Sequence, residues 1–222
     1  MKLEATMAQL EALGSEKVRL QNIRFGAGPV QFGVKLGDIR TLAKKIKTNH
    51  SLALQLWETG NSDARRLAIL IMESSRLTAS DFEQMVRSES FVQVIDWLHA
   101  YILKQHPESE NLRLKWMTDS HPMVARMAWS LTADRIVSST GSVDVEYLLQ
   151  RIETEMAHAA PETKWTMNMT LAQIGIHLEA FRQRALFIGE KLGVYRDYPV
   201  SKGCTSPFAP IWINEMVKRI KI

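Results

Sequence analysis

The chain has 222 residues, of which 45% are apolar and 23% charged, with a net charge of +4, which excludes a disordered or collagen-like chain. No apolar run reaches the roughly 18 to 20 residues that span a bilayer, and the opening Met1-Lys2-Leu3-Glu4-Ala5 carries an acid, so neither a membrane protein nor a signal peptide is expected. The single cysteine, Cys204, forms no internal disulfide and no Cys-based zinc site, which points to a reducing, cytoplasmic setting.

Helical spacing begins at once. Leu3, Met7, Leu10 and Leu13 form a stripe that stops at Gly14, and Leu36, Ile39, Leu42, Ala43 and Ile46 form the next. Leu52 and Leu56 continue the pattern up to Gly60, and Asn61 is a natural N-cap for the apolar run at 67–72. Thr78 is a second cap. Phe91, Ile95, Leu98 and Ile102 line one face of a further helix, on which Trp97 and Tyr101 read as a packed i, i+4 pair. Pro107, Pro122 and Pro161 sit where a first helical turn tolerates proline. Asp144 or its neighbour Ser142 caps the helix carrying Leu148, Ile152 and Met156, and Gly175 either stops a helix or lies inside a longer one. With no Asn-Gly or Asp-Gly hairpin turn and no sustained alternation, the pattern predicts an all-α chain of about twelve short helices.

Comparable apolar helices begin near Asn61, Ser90, Pro122 and Pro161, a period of roughly 30 to 40 residues. Three of them carry a cation or amide in an otherwise apolar run: Arg65 and Arg66, then Arg126, then Asn168. This period suggests stacked helix pairs of HEAT (armadillo) type, forming one helical-repeat solenoid domain over residues 1–222. A compact irregular bundle is the alternative.

Charge is unevenly placed. Residues 19–47 hold seven Lys/Arg (Arg19, Arg24, Lys35, Arg40, Lys44, Lys45, Lys47) against one acid, and residues 180–222 hold eight against three. Residues 48–179 hold eleven basic and seventeen acidic residues. Two basic ends around an acidic middle suit a polyanion held by two surfaces, although solvated helix faces give the same pattern.

Gly26-Ala27-Gly28-Pro29 follows a helix and contains a proline, so it is no dinucleotide loop. The histidines lack ligand spacing, and no Gly-x-Ser-x-Gly elbow exists, so neither a metal nor a cofactor is expected. Asp96 stands alone in the apolar helix Phe91-Val92-Gln93-Val94-Ile95-Asp96-Trp97-Leu98-His99. An unpaired buried carboxylate costs several kcal/mol, so Asp96 bonds locally to His99, bonds to a neighbouring helix, or serves a site.

Phe32-Gly33-Val34-x-x-Gly-Asp-Ile-Arg40-x-Leu-Ala-Lys44-Lys45, followed by His50-x-Leu-Ala-x-x-Leu-Trp57-x-x-Gly60-Asn61-x-x-Ala64-Arg65, resembles the front half of the AlkD-like DNA alkylation repair glycosylase family. The resemblance runs from about residue 20 to the end, and 202–213 resembles the tail of a divergent branch. It implies HEAT-like repeats whose concave basic face holds double-stranded DNA, and a chain acting as a monomer. It places the catalytic carboxylate on Asp96 and a DNA-holding cation on Arg126. The family's two active-site tryptophans would fall on Val92 and near Leu171, where both aromatics are lost. Arg40, Lys44, Lys45, Arg65 and Asn168 would add DNA contacts, with the protein associated with the nucleoid when bound.

The implied reaction is hydrolysis of the N-glycosidic bond of N3- or N7-alkylpurines. Such a base is already cationic and leaves without a general acid, so the protein need only stabilise the developing sugar cation, which a carboxylate does electrostatically. Loss of two aromatic faces keeps a second reading open, a non-catalytic DNA binder that recognises damaged or distorted duplex. A protein-interaction solenoid is the third.

Overall fold

The computed structural model describes residues 2–138 and 143–220, and among them it contains thirteen α-helices, two single 3-10 turns and no strand beyond an isolated bridge between Gly14 and Val34. The chain divides into two compact units, Met1–Glu110 and Asn111–Ile222. The first holds α1 (Leu3–Ala12), α2 (Glu16–Arg24), α3 (Leu36–Ile46), α4 (His50–Glu58), α5 (Ser62–Ile71), α6 (Ala79–Arg87) and α7 (Val92–Tyr101). α8 (Ser109–Trp116) starts at the boundary; the second unit continues with α9 (Pro122–Ser138), α10 (Val145–Glu155), α11 (Pro161–His177), α12 (Glu179–Leu192) and α13 (Ala209–Ile220).

The caps act as the sequence predicts. Asn61 accepts the N–H groups of Asp63 and Ala64 at 3.0 and 3.1 Å, and Asp144 accepts that of Tyr147 at 2.9 Å; the alternative cap, Ser142, lies outside the described residues. Thr78 and Asp81 form a reciprocal capping box at α6. Pro122 and Pro161 open α9 and α11, whereas Pro107 lies in the turn ahead of α8.

In the first unit α5 packs against α3, α4 and α7, and in the second α11 packs against α9, α12 and α13. α5, α9 and α11 are buried around most of their circumference, as expected of helices apolar on nearly every face. These are three of the four helices whose starts recur in the sequence, so the cations and amides they carry lie inside the units. Gly175 lies within α11 and does not stop it: a Cβ there would come within 2.5 Å of the Ile213 side chain, so the missing side chain lets α13 lie against α11.

Candidate nucleic-acid interface

The site helix α7 is held by charges buried at α5. The carboxylate of Asp63, 0% exposed, accepts the backbone N–H groups of Phe32, Gly33 and Val34 at 2.8, 2.9 and 3.3 Å. Gly33 adopts φ +76° with Ser15 O and Arg19 N only 2.5 Å from where a Cβ would stand, so this turn admits no side chain. Arg66 lies 3.6 Å from Asp63, over the Phe91 ring at 4.9 Å, and donates to Gln93 Oε1 at 2.9 Å. Burial pulls the Arg66 guanidinium below its ordinary value, against the pull of Asp63 and Glu89.

Arg65 donates to the Trp57 carbonyl at 3.2 Å, the Ser88 carbonyl at 2.8 Å and Glu89 at 3.0 Å, and stacks on Trp57 at 5.0 Å. Glu89 in turn accepts the N–H groups of Ser90 and Phe91 at 2.8 and 2.7 Å, which fixes the start of α7. Arg65 is therefore committed to internal acceptors.

Along α7, Val94, Ile95 and Leu98 are buried and Asp96 is half-buried, with Val92 half-buried in the first turn. Trp97 and Tyr101 do pair, with ring centroids 5.1 Å apart, but at the surface: Tyr101 is 49% exposed. Arg40 of α3 completes the group. Its guanidinium lies 4.9 Å from the Trp97 ring centroid, and Nε and Nη2 donate to Tyr101 Oη at 3.3 and 3.2 Å. Arg40, Lys44 and Lys45 are all exposed. Lys44, one turn on, shares the Arg40 face, whereas Lys45 lines a groove with Gln9, Leu13 and Thr41 on the other flank of α3.

In the second unit Arg126, buried in α9, donates through Nη1 to the Glu162 carbonyl at 2.9 Å, in the first turn of α11. Asn168 is also buried, and its amide donates to the Pro207 carbonyl at 2.9 Å, tying the 202–213 segment to α11. Leu171 is 0% exposed. The structure thus places Arg40 and Lys44 on the exposed face of α3 and Asp96, half-buried, on α7, and places Arg65, Arg126 and Asn168 in interior hydrogen-bond networks.

One group was not singled out from the sequence. Trp165, one turn beyond Glu162, meets Tyr195 and Tyr198 at centroid distances of 5.3 and 5.9 Å, and the two tyrosines are 5.6 Å apart. Burial pushes the Tyr195 phenol above its ordinary value, Tyr198 adds to this, and the charge of Arg126 opposes it. The sequence signal available was modest: a tryptophan among six, and two tyrosines three apart after Gly193.

Among the described residues no group of three or more His, Cys, Asp or Glu could hold a metal ion, and no helix is long and apolar enough to cross a membrane. A family model described as DNA alkylation repair enzyme matches residues 6–192. Uncharacterized proteins of Listeria innocua serovar 6a and Listeria monocytogenes serovar 1/2a are each 23% identical, over 85% and 86% of this chain and 84% and 85% of their own. A solved structure matches with TM-score 0.81 and 27% identity over 99% of this chain and 95% of the other; it represents a new family of proteins related to the HEAT-like repeat DNA glycosylases with affinity for branched DNA structures. The fold is that HEAT-like, all-helical fold.

Proposed function

The chain belongs to the DNA alkylation repair enzyme family, and from that premise we propose that it binds DNA and favours branched or distorted duplex over regular duplex. The observation that carries this reading is Arg40 resting on Trp97 and Tyr101. The ring and the phenol oxygen hold the guanidinium in place, yet it stays at the surface with N–H donors left for phosphate oxygens. Lys44 extends the charge along the same face, and the exposed Tyr101 ring offers a face to a base that has lost its stacking partner. Regular duplex offers few such bases; a branch point offers several. The affinity for branched DNA of the related structure supports the same choice.

Fluorescence anisotropy with a four-way junction and a linear duplex of the same sequences, across a salt series, tests the reading. Tighter junction binding with a linear fall of log affinity against log salt is expected. No binding of either at low salt, or equal binding of both, overturns it.

A second reading, excision of cationic N3- or N7-alkylpurines, is favoured by one feature: Asp96 is half-buried on α7 beside Trp97, where a carboxylate can stabilise a sugar cation. Against it stand Val92 and the fully buried Leu171, which provide no aromatic wall. Release of methylated base from N7-methylguanine duplex by the wild type, abolished in Asp96→Asn with DNA binding intact, is the expected signature of that activity. No release by the wild type removes it and leaves the DNA-binding reading standing.

A further inference from the structure

We infer that Trp165, Tyr195 and Tyr198 form a preorganised stacking site for a single unpaired base of bound DNA. This rests on the DNA-binding reading and adds a second, base-directed contact in the Asn111–Ile222 unit.

The three rings are inclined to one another by 64°, 55° and 89°, with nearly equal spacings. Edge-to-face pairs of this kind hold a ring firmly while leaving one of its faces uncovered. Here the outermost ring is Tyr198, 46% exposed, backed by the half-buried Trp165 and Tyr195. An exposed tyrosine on a loop is ordinarily mobile; this one is not built that way. Gly193 ends α12 at φ +61°, Arg196 N–H donates to the Gly193 carbonyl at 3.1 Å, and Tyr198 N–H donates to the Tyr195 carbonyl at 3.2 Å, closing two successive turns. Arg196 pins the loop between Glu190, at 2.8 Å, and the Phe208 ring, at 4.6 Å.

Tyr195 itself takes φ +63°, in the left-handed region that a bulky residue rarely enters. The ring of this residue lies against Trp165, and a backbone held in that region by its surroundings is more common at binding sites than elsewhere. The surroundings also suit a polyanion. The positive charge of Arg126 acts on Tyr195 from within the unit. Aromatic faces beside a positive charge match a nucleobase on its phosphodiester strand, and any of the four bases can stack. A paired base inside a regular helix has no free face and gains nothing from the site.

The test compares two duplexes of one sequence, one fully paired and one with a single unpaired adenine. Wild-type protein should bind the bulged duplex more tightly. Tyr198→Ala, at an exposed position that leaves folding intact, should reduce that preference about tenfold while leaving the paired-duplex affinity unchanged, and Tyr198→Phe should retain it. Trp165→Phe, which keeps a ring in the half-buried position, should keep part of the preference. If Tyr198→Ala preserves the preference, or weakens both probes equally, the stacking site is overturned although DNA binding stands. If the wild type binds neither probe at low salt, the DNA-binding reading fails and this site with it.

Discussion

Two arginines of the first unit stack on tryptophans at almost the same distance, Arg65 over Trp57 at 5.0 Å and Arg40 over Trp97 at 4.9 Å. Their remaining donors separate them. Arg65 is buried and meets two backbone carbonyls and the carboxylate of Glu89, which itself holds the turn that leads into α7. Arg40 is exposed and finds one phenol oxygen. A cation over an aromatic ring is therefore no mark of a ligand site by itself. The first pair fixes the helix that carries Asp96; the second is available beside it.

The largest effect should come from breaking the buried pair. Arg65→Ala leaves Glu89, 5% exposed, without its hydrogen-bonded cation, and removing one partner of a buried ion pair costs about 3 to 5 kcal/mol. Urea unfolding should show the midpoint falling accordingly, with α7 losing its anchor. A loss under about 1 kcal/mol would mean that Arg65 is not a strut of α7.

Arg40→Ala should do the opposite. As an exposed residue it should change stability by no more than about 0.5 kcal/mol, while DNA affinity falls roughly tenfold near 0.1 M salt and the log–log salt slope drops by about 1. Unchanged affinity and slope would return Arg40 to the role of a surface ornament on Trp97.

The contrast also shows which features the sequence makes legible. Helix starts could be read because Asn61, Thr78, Asp144, Pro122 and Pro161 act locally, through bonds spanning a few residues or through a fixed φ. Arg65, Arg126 and Asn168 were visible as polar residues in apolar helices, but their partners were not: Asn168 meets a carbonyl 39 residues away and Arg126 one 36 away. The two stretches that carry the family resemblance, around Phe32-Gly33-Val34 and around Asn61, prove to be the two halves of one clamp joined through Asp63. Their pattern reports a structural constraint, whereas the exposed Arg40–Trp97–Tyr101 group depends on helices far apart in sequence. Tyr195 and Tyr198 carry no such signal, because a loop has no period and a tyrosine at positive φ leaves no compositional trace.

The smallest expected effect calibrates the exposed end of the comparison. Asp81, like Glu89, accepts a backbone N–H near a helix start, but at the surface: Thr78 donates its N–H at 2.8 Å and its hydroxyl at 2.7 Å. The Thr78 N–H, then its hydroxyl, hold the Asp81 carboxyl below its ordinary value, with burial opposing and His50 assisting. A carboxylate depressed in the folded state stabilises fully above its unfolded value, about 3.9, and that contribution disappears as pH falls through the folded one. Asp81→Asn should therefore cost a few tenths to about 1 kcal/mol at pH 7, and the difference from wild type should narrow below about pH 4. Urea titrations at pH 7 and pH 3 read both values. If the difference persists undiminished at pH 3, the ionised carboxylate is not what stabilises the cap, and the gap between buried and exposed carboxylates argued from Glu89 and Asp81 loses one of its two ends.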